Sequence, residues 1–344
     1  MGRRRKLWFI SLAVPLLLVA ADTAYWRIVT GNLEQGFANW VAVQQVNGWT
    51  EQHSTTKVGG WPFAATLVIP AMSLRHDGPG MPGAVTWNAE KVTLRVALAR
   101  PTVLEIAPEG RQQIQLAGNP AVPYTAARLR LIFPLQATDL PDFADVGAAN
   151  LRAETPAGVA SLKSLQVHLA FNPKAHSGEA AVSASLQASD VGPPVSVLRP
   201  LGPKISKLDM DATLNGPLPA AGNLAEQAAG WRDAGGSLEV QHLSLTWGPL
   251  DLSASATLAL DDQLQPMGAG SARIVGYAET LDALAAHAVI SRSAATAAKA
   301  VLSLLANAPD DGSRPDVEVP LTLQYRTLSM RQVPLLRLPE VDWP

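Results

Sequence analysis

The sequence predicts a mainly β fold with helices added (α+β). An N-terminal membrane helix leads into an extended antiparallel sheet of successive hairpins, and one long covering helical segment follows near the C-terminus. Three observations predict it. A basic cluster runs straight into an uncharged apolar run at the N-terminus. Apolar and polar residues then alternate, in segments of strand length, from about residue 61 to residue 325. Only over residues 279–306 does an alanine- and leucine-rich stretch show the helical period instead.

Arg3, Arg4, Arg5 and Lys6 form a basic tail over residues 1–6, and Leu7 to Ala21 are uncharged and apolar. A span needs about 20 residues, which the run reaches by extension to Trp26. That defines an anchor over 7–26, with Tyr25 and Trp26 where an aromatic belt would lie. The basic tail stays cytoplasmic, so residues 27–344 form a β-rich domain on the periplasmic side of the inner membrane, held by a single pass. Cleavage before Asp22, after Val19-Ala20-Ala21, is the alternative.

From Trp26 the apolar residues Val29, Leu33, Phe37, Trp40 and Val41 recur at steps of three and four, which predicts a helix over 27–46 ended by Asn47-Gly48. Trp61-Pro62-Phe63 opens a strand running to about Leu74, and His76 to Gly80 is turn chemistry. Val92, Leu94, Val96 and Leu98 share one strand face, with Lys91, Thr93 and Arg95 on the other. The same alternation predicts strands around 129–133, 165–171, 182–186, 208–214, 243–247, 252–260 and 317–325. Residues 162–171 with 180–188, and 237–247 with 250–260, read as hairpins. Ser291-Arg292-Ser293 is a candidate kink in the 279–306 segment.

Apolar residues make up 47% of the 344, enough for a real core in one large domain or two medium ones, and charged residues only 16%. The net charge is −2, and the four N-terminal cations leave about −6 on the remainder. No basic stripe with interleaved aromatics appears, so nucleic acid is not an expected partner. The absence of cysteine excludes disulfides, thiol catalysis and thiolate metal sites.

No other motif points to chemistry. The six histidines, at 53, 76, 168, 176, 242 and 287, lack metal-ligand spacing. Gly78 to Gly83 holds two prolines, which remove N–H groups that a phosphate cradle would use. Asp310, Asp311, Asp316 and Glu318 do not match a calcium loop, and Asp261-Asp262 reads as a plain turn. No catalytic residue, cofactor or metal is assigned. The distinctive feature is nine tryptophans. With Phe63, the residues Trp61, Trp87, Trp231 and Trp247 are the candidates either to plug sheet ends or to line an apolar groove.

Gly60-Trp61-Pro62-Phe63, Trp231 to Gly236, Leu245 to Leu250, Val333-Pro334-Leu335 and Leu338-Pro339 occur in this order after Trp26. In this the chain resembles the bacterial family called domain of unknown function 2125. That resemblance implies a distant likeness to AsmA-like envelope proteins, which have an inner-membrane anchor, a sheet with an apolar concave face, and an association with lipid traffic. It supplies no catalytic residues. The expectation is a non-enzymatic protein that binds or handles lipid. The alternative is a scaffold or assembly factor for other envelope proteins, docking through the 26–46 helix or the tail Leu338 to Pro344.

Overall fold

Two units make up the chain in the computed structural model: residues 1–125 with 129–138, and 126–128 with 139–344. The structure describes residues 2–76, 84–116, 118–135, 141–194, 199–219, 222–307, 314–330 and 333–343, with the backbone alone for 2–14 and 333. Asp77 to Gly83, Asp310, Asp311 and Pro344, and the side chains of the basic tail and of Leu7 to Val14, therefore lie outside the described residues.

The first unit begins with α1 (Gly2–Val46), one uninterrupted helix that includes both the expected anchor and the expected 27–46 helix. Among the described residues no helix is long and apolar enough to cross a membrane. Leu16, Leu17 and Leu18 are each about two-thirds exposed. Further along α1, the first part of the stripe read from the sequence is buried: Val29 and Leu33 lie in the core, with Trp26 and Phe37 packed against it, while Trp40 stays exposed.

Seven strands complete this unit: β1 (Trp49–Gln52), β2 (Lys57–Gly59), β3 (Ala64–His76), β4 (Val85–Ala97), β5 (Val103–Leu116), β6 (Val122–Thr125) and β7 (Arg128–Pro134). All pairings are antiparallel. β1 and β2 pair with opposite ends of β3, β3 with β4, β4 with β5, and β6 and β7 with opposite ends of β5. The β4 alternation is as the sequence predicts. Val92, Leu94 and Val96 are buried, while Thr93 bonds Glu109 on the outer face (2.9 Å) and Arg95 bonds Glu105 (3.3 Å). Lys91 also pairs with Glu109 and holds that carboxyl below the usual carboxylate range.

Alternation breaks at one level across three neighbouring strands. The buried residues go from Ile69 to Met72 on β3 and from Val92 to Ala89 on β4; on β5, inward Pro108 is followed by buried Gln112. The register shifts here, with an extra β5 residue opposite Glu90. Ala71 (φ 51°) and Gly110 (φ 77°) take left-handed backbone at this level. Such a bulge bends and twists a sheet, and this one sets Gln112 opposite buried Ala89 on the inner face.

The second unit is a meander: β8 (Phe143–Thr155), β9 (Gly158–Phe171), β10 (Ala180–Val191), β11 (Ile205–Asn215), β12 (Ser237–Trp247), β13 (Leu250–Leu260), β14 (Pro266–Val275), β15 (Asp316–Gln324), β16 (Thr327–Met330) and β17 (Val333–Arg337). Each pairs antiparallel with the next, including both hairpins expected from the sequence. The helical segment expected as one long piece is two helices, α3 (Tyr277–Ala286) and α4 (Arg292–Leu305). Ser291 causes the break: its hydroxyl accepts the Ala294 N–H at 3.1 Å and caps a new helix. Tyr277 and Leu302 pack with Val317, Val319 and Ala272, so the segment covers part of the sheet as expected.

A further helix, α2 (Leu224–Asp233), was not foreseen. Its capping box, Asn223 with Glu226, is the sequence signal that marks it.

Candidate functional site

A cavity of about 770 Å³ lies wholly within the first unit, between α1 and the inner face of β3–β5 and β7. Residues Ile28 to Trp40 of the helix form one wall. Ile69, Met72, Val92, Leu94, Val96, Leu104 and Phe133 form the other. The sequence explains the shape. α1 presents Gly36 to the cavity, where an added Cβ would meet no atom within 4 Å. The volume falls within the range of about 300–1,000 Å³ typical of small-ligand sites.

The lining contains no Asp, Glu, Lys, Arg or His, and its polar side chains are few. Gln112 is 1% exposed, and neither its amide nitrogen nor its amide oxygen has a hydrogen-bond partner. Tyr124 faces Gln112 directly across the β5–β6 pairing. Trp87 Nε1–H donates to the Tyr124 hydroxyl at 2.8 Å, and burial pushes that phenol's pKa up, keeping it neutral. Accepting from Trp87 leaves the phenolic proton itself free to point elsewhere. Asn32 contributes a further amide from the helix.

Trp26 fixes the helix over this space. Its Nε1–H donates to the carbonyls of Ala64 (3.0 Å) and Gly59 (3.3 Å), clasping the turn Gly60-Trp61-Pro62-Phe63. Gly60 sits at φ 90°, with the Ala64 carbonyl 2.5 Å from where a Cβ would be, so the turn tolerates no side chain there.

Of the five aromatic residues singled out from the sequence, only Trp87 lines the cavity. Trp61 and Phe63 point outward, 50% and 80% exposed. Trp231 and Trp247 belong to the second unit and plug it. The Trp231 indole donates to the Asn215 carbonyl (2.8 Å) and lies flush on Gly236, and Trp247 donates to the Gly202 carbonyl (2.9 Å). Gln112, Tyr124 and Asn32 were missed. In the sequence Gln112 sits in Arg111-Gln112-Gln113-Ile114-Gln115, which looks like an exposed polar strand.

The histidines engage locally: His168 with Asp145 at 2.6 Å, His176 with Glu179 at 3.2 Å, and His53 with the Ser54 carbonyl at 2.6 Å. Among the described residues no three His, Cys, Asp or Glu side chains converge as a metal site. The tail proposed as a docking element folds back on its own unit. Val341 exchanges two hydrogen bonds with the Gln265 amide, and Trp343 donates to the Leu264 carbonyl at 2.9 Å.

An antiparallel sheet roofed by an N-terminal helix over an apolar space is the class of site that results. The chain belongs to the DUF2125 family, described as an uncharacterized protein conserved in bacteria, whose model matches residues 26–339. No curated protein and no solved structure matches it.

Proposed function

We propose that this is a membrane-attached, non-enzymatic binding protein of the bacterial envelope whose first unit takes up an apolar, lipid-like ligand. The cavity carries the reading. A space of about 770 Å³ would hold on the order of 25 waters against a nearly pure hydrocarbon wall. Filling it with apolar chain removes that wall from water at roughly 25 cal/mol per Å². The absence of charge from the lining favours binding over acid–base chemistry.

Attachment to the inner membrane, with the domain on the periplasmic side, rests on the N-terminal basic cluster followed by the apolar run. The exposed Leu16 to Val19 segment of α1 supports it, because a helix apolar all round seeks lipid or a protein interior. An envelope scaffold docking through the C-terminal tail has less support, since Val341 and Trp343 are engaged within the chain.

A photoactivatable long-chain diazirine hydrocarbon tests the cavity on the full chain. The expected result is labelling of peptides from α1 and from β3–β5 around Leu94 and Leu104, suppressed in Gly36→Leu. That substitution adds a side chain where space is open and improves helix propensity. Labelling spread evenly over both units, or unchanged in Gly36→Leu, overturns the reading.

A further inference from the structure

We infer that the ligand carries an uncharged hydrogen-bonding head, of the alcohol, ester or amide class, and that the Gln112 amide is its anchor. The inference rests on the apolar-ligand reading above and specifies the ligand's chemical class. A buried amide with no partner is unusual, because each such group loses its hydrogen bonds to water without replacement. Gln112 is almost wholly buried, lines the cavity, and leaves both its donor and its acceptor atoms unmet. Its position is held by the bulge at Gly110. The extra residue opposite Glu90 sets Gln112 opposite buried Ala89; without it the β4 register would set Gln112 opposite Asn88, one step out of phase with the inner face.

Gln112 is also not isolated. Tyr124 stands opposite it on β6, and Trp87 fixes the Tyr124 ring through the indole N–H. Together they form one polar spot on an otherwise apolar wall, which is how small-ligand sites set orientation. The spot offers an amide N–H pair, an amide carbonyl and a phenolic proton, and so can both give and accept hydrogen bonds. It offers no cation. An ionised carboxylate or phosphate brought there would lose its hydration with no counter-charge among the lining residues. A hydroxyl or a carbonyl would instead satisfy the amide.

The test is competition against diazirine labelling of the cavity peptides at pH 8, using hexadecane, 1-hexadecanol and hexadecanoate on the full chain. Hexadecanol is expected to compete about tenfold better than hexadecane, as one or two satisfied hydrogen bonds would give, and hexadecanoate no better than hexadecane. In Gln112→Leu the hexadecanol advantage should shrink to within about twofold while hexadecane still competes. The same variant should melt higher than the parent without ligand, which shows that it folds, because it removes an unsatisfied buried amide. If hexadecanol has no advantage, or the advantage survives in Gln112→Leu, or hexadecanoate competes best, the inference falls while the apolar-ligand reading stands. If no cavity peptide is labelled, or none of the three competes, both fall.

Discussion

Single side chains explain the order of motifs along this chain. Gly236 is glycine because the Trp231 indole occupies the place of its Cβ, with ring atoms within 2.5 Å of that point. Gly236→Ala should therefore lower stability by about 1–3 kcal/mol, the usual cost of overpacking. Gly31→Ala, where α1 leaves open space, should be neutral or slightly stabilising. Paired thermal melts check both. Asp316 gives a pH prediction. Arg273 grips it with two hydrogen bonds, of 2.8 and 3.0 Å, and holds its carboxyl below the usual carboxylate range. Its folded-state pKa is depressed, so the stabilisation is complete above the ordinary carboxylate pKa and is lost as pH falls through the depressed one. Asp316→Asn should lower the melting temperature at pH 7 and narrow its gap to the parent below about pH 4; an equal gap at both pH values contradicts this. The Arg273–Asp316 pairing could not be read in the sequence, because its residues lie 43 positions apart; Trp231 and Gly236 are neighbours in one motif, but their contact needs the fold to show it.

Element by element, legibility follows the period of the pattern. The hairpins of 162–188 and 237–260 were plain, since apolar residues alternate over 165–171, 182–186, 243–247 and 252–260, although β12 carries a bulge at Gln241. β5 was not, because Glu105, Glu109, Gln113 and Gln115 supply polar residues throughout and the exposed Glu109-Gly110-Arg111 bulge interrupts its inner face midway. β14, built from Gly268, Ala269, Gly270 and Ser271, offered no apolar contrast to read. The β5 bulge is itself testable. Gly110 has φ 77°, and a Cβ there would lie 2.4 Å from the Glu90 carboxylate. Gly110→Val should cost at least about 1–2 kcal/mol, the penalty for left-handed backbone. It should also weaken the hexadecanol preference by disturbing the aim of Gln112. Chemical denaturation reads the first effect and the labelling competition the second.

For the molecule, the proposed membrane attachment and the proposed ligand uptake fall at one end of the first unit. Trp26 lies about 8 Å along α1 from Ala21, the end of the apolar run, roughly the thickness of a headgroup layer. With the apolar run in lipid, the turn that Trp26 holds would carry exposed Trp61 and Phe63 at that depth. In vesicles with brominated acyl chains, Trp61→Phe should remove part of the tryptophan quenching. Trp49→Phe, just past the far end of α1, which lies about 30 Å from Trp26, should not; equal losses contradict the placement. The central claim is that the space under α1 is occupied by lipid-like chain. Native mass spectrometry of the full chain released from detergent tests it most directly. One acyl-chain-bearing molecule per protein is expected on the parent, with roughly tenfold less on Gly36→Leu. A bare parent mass, or the same adduct on both proteins, would contradict the claim.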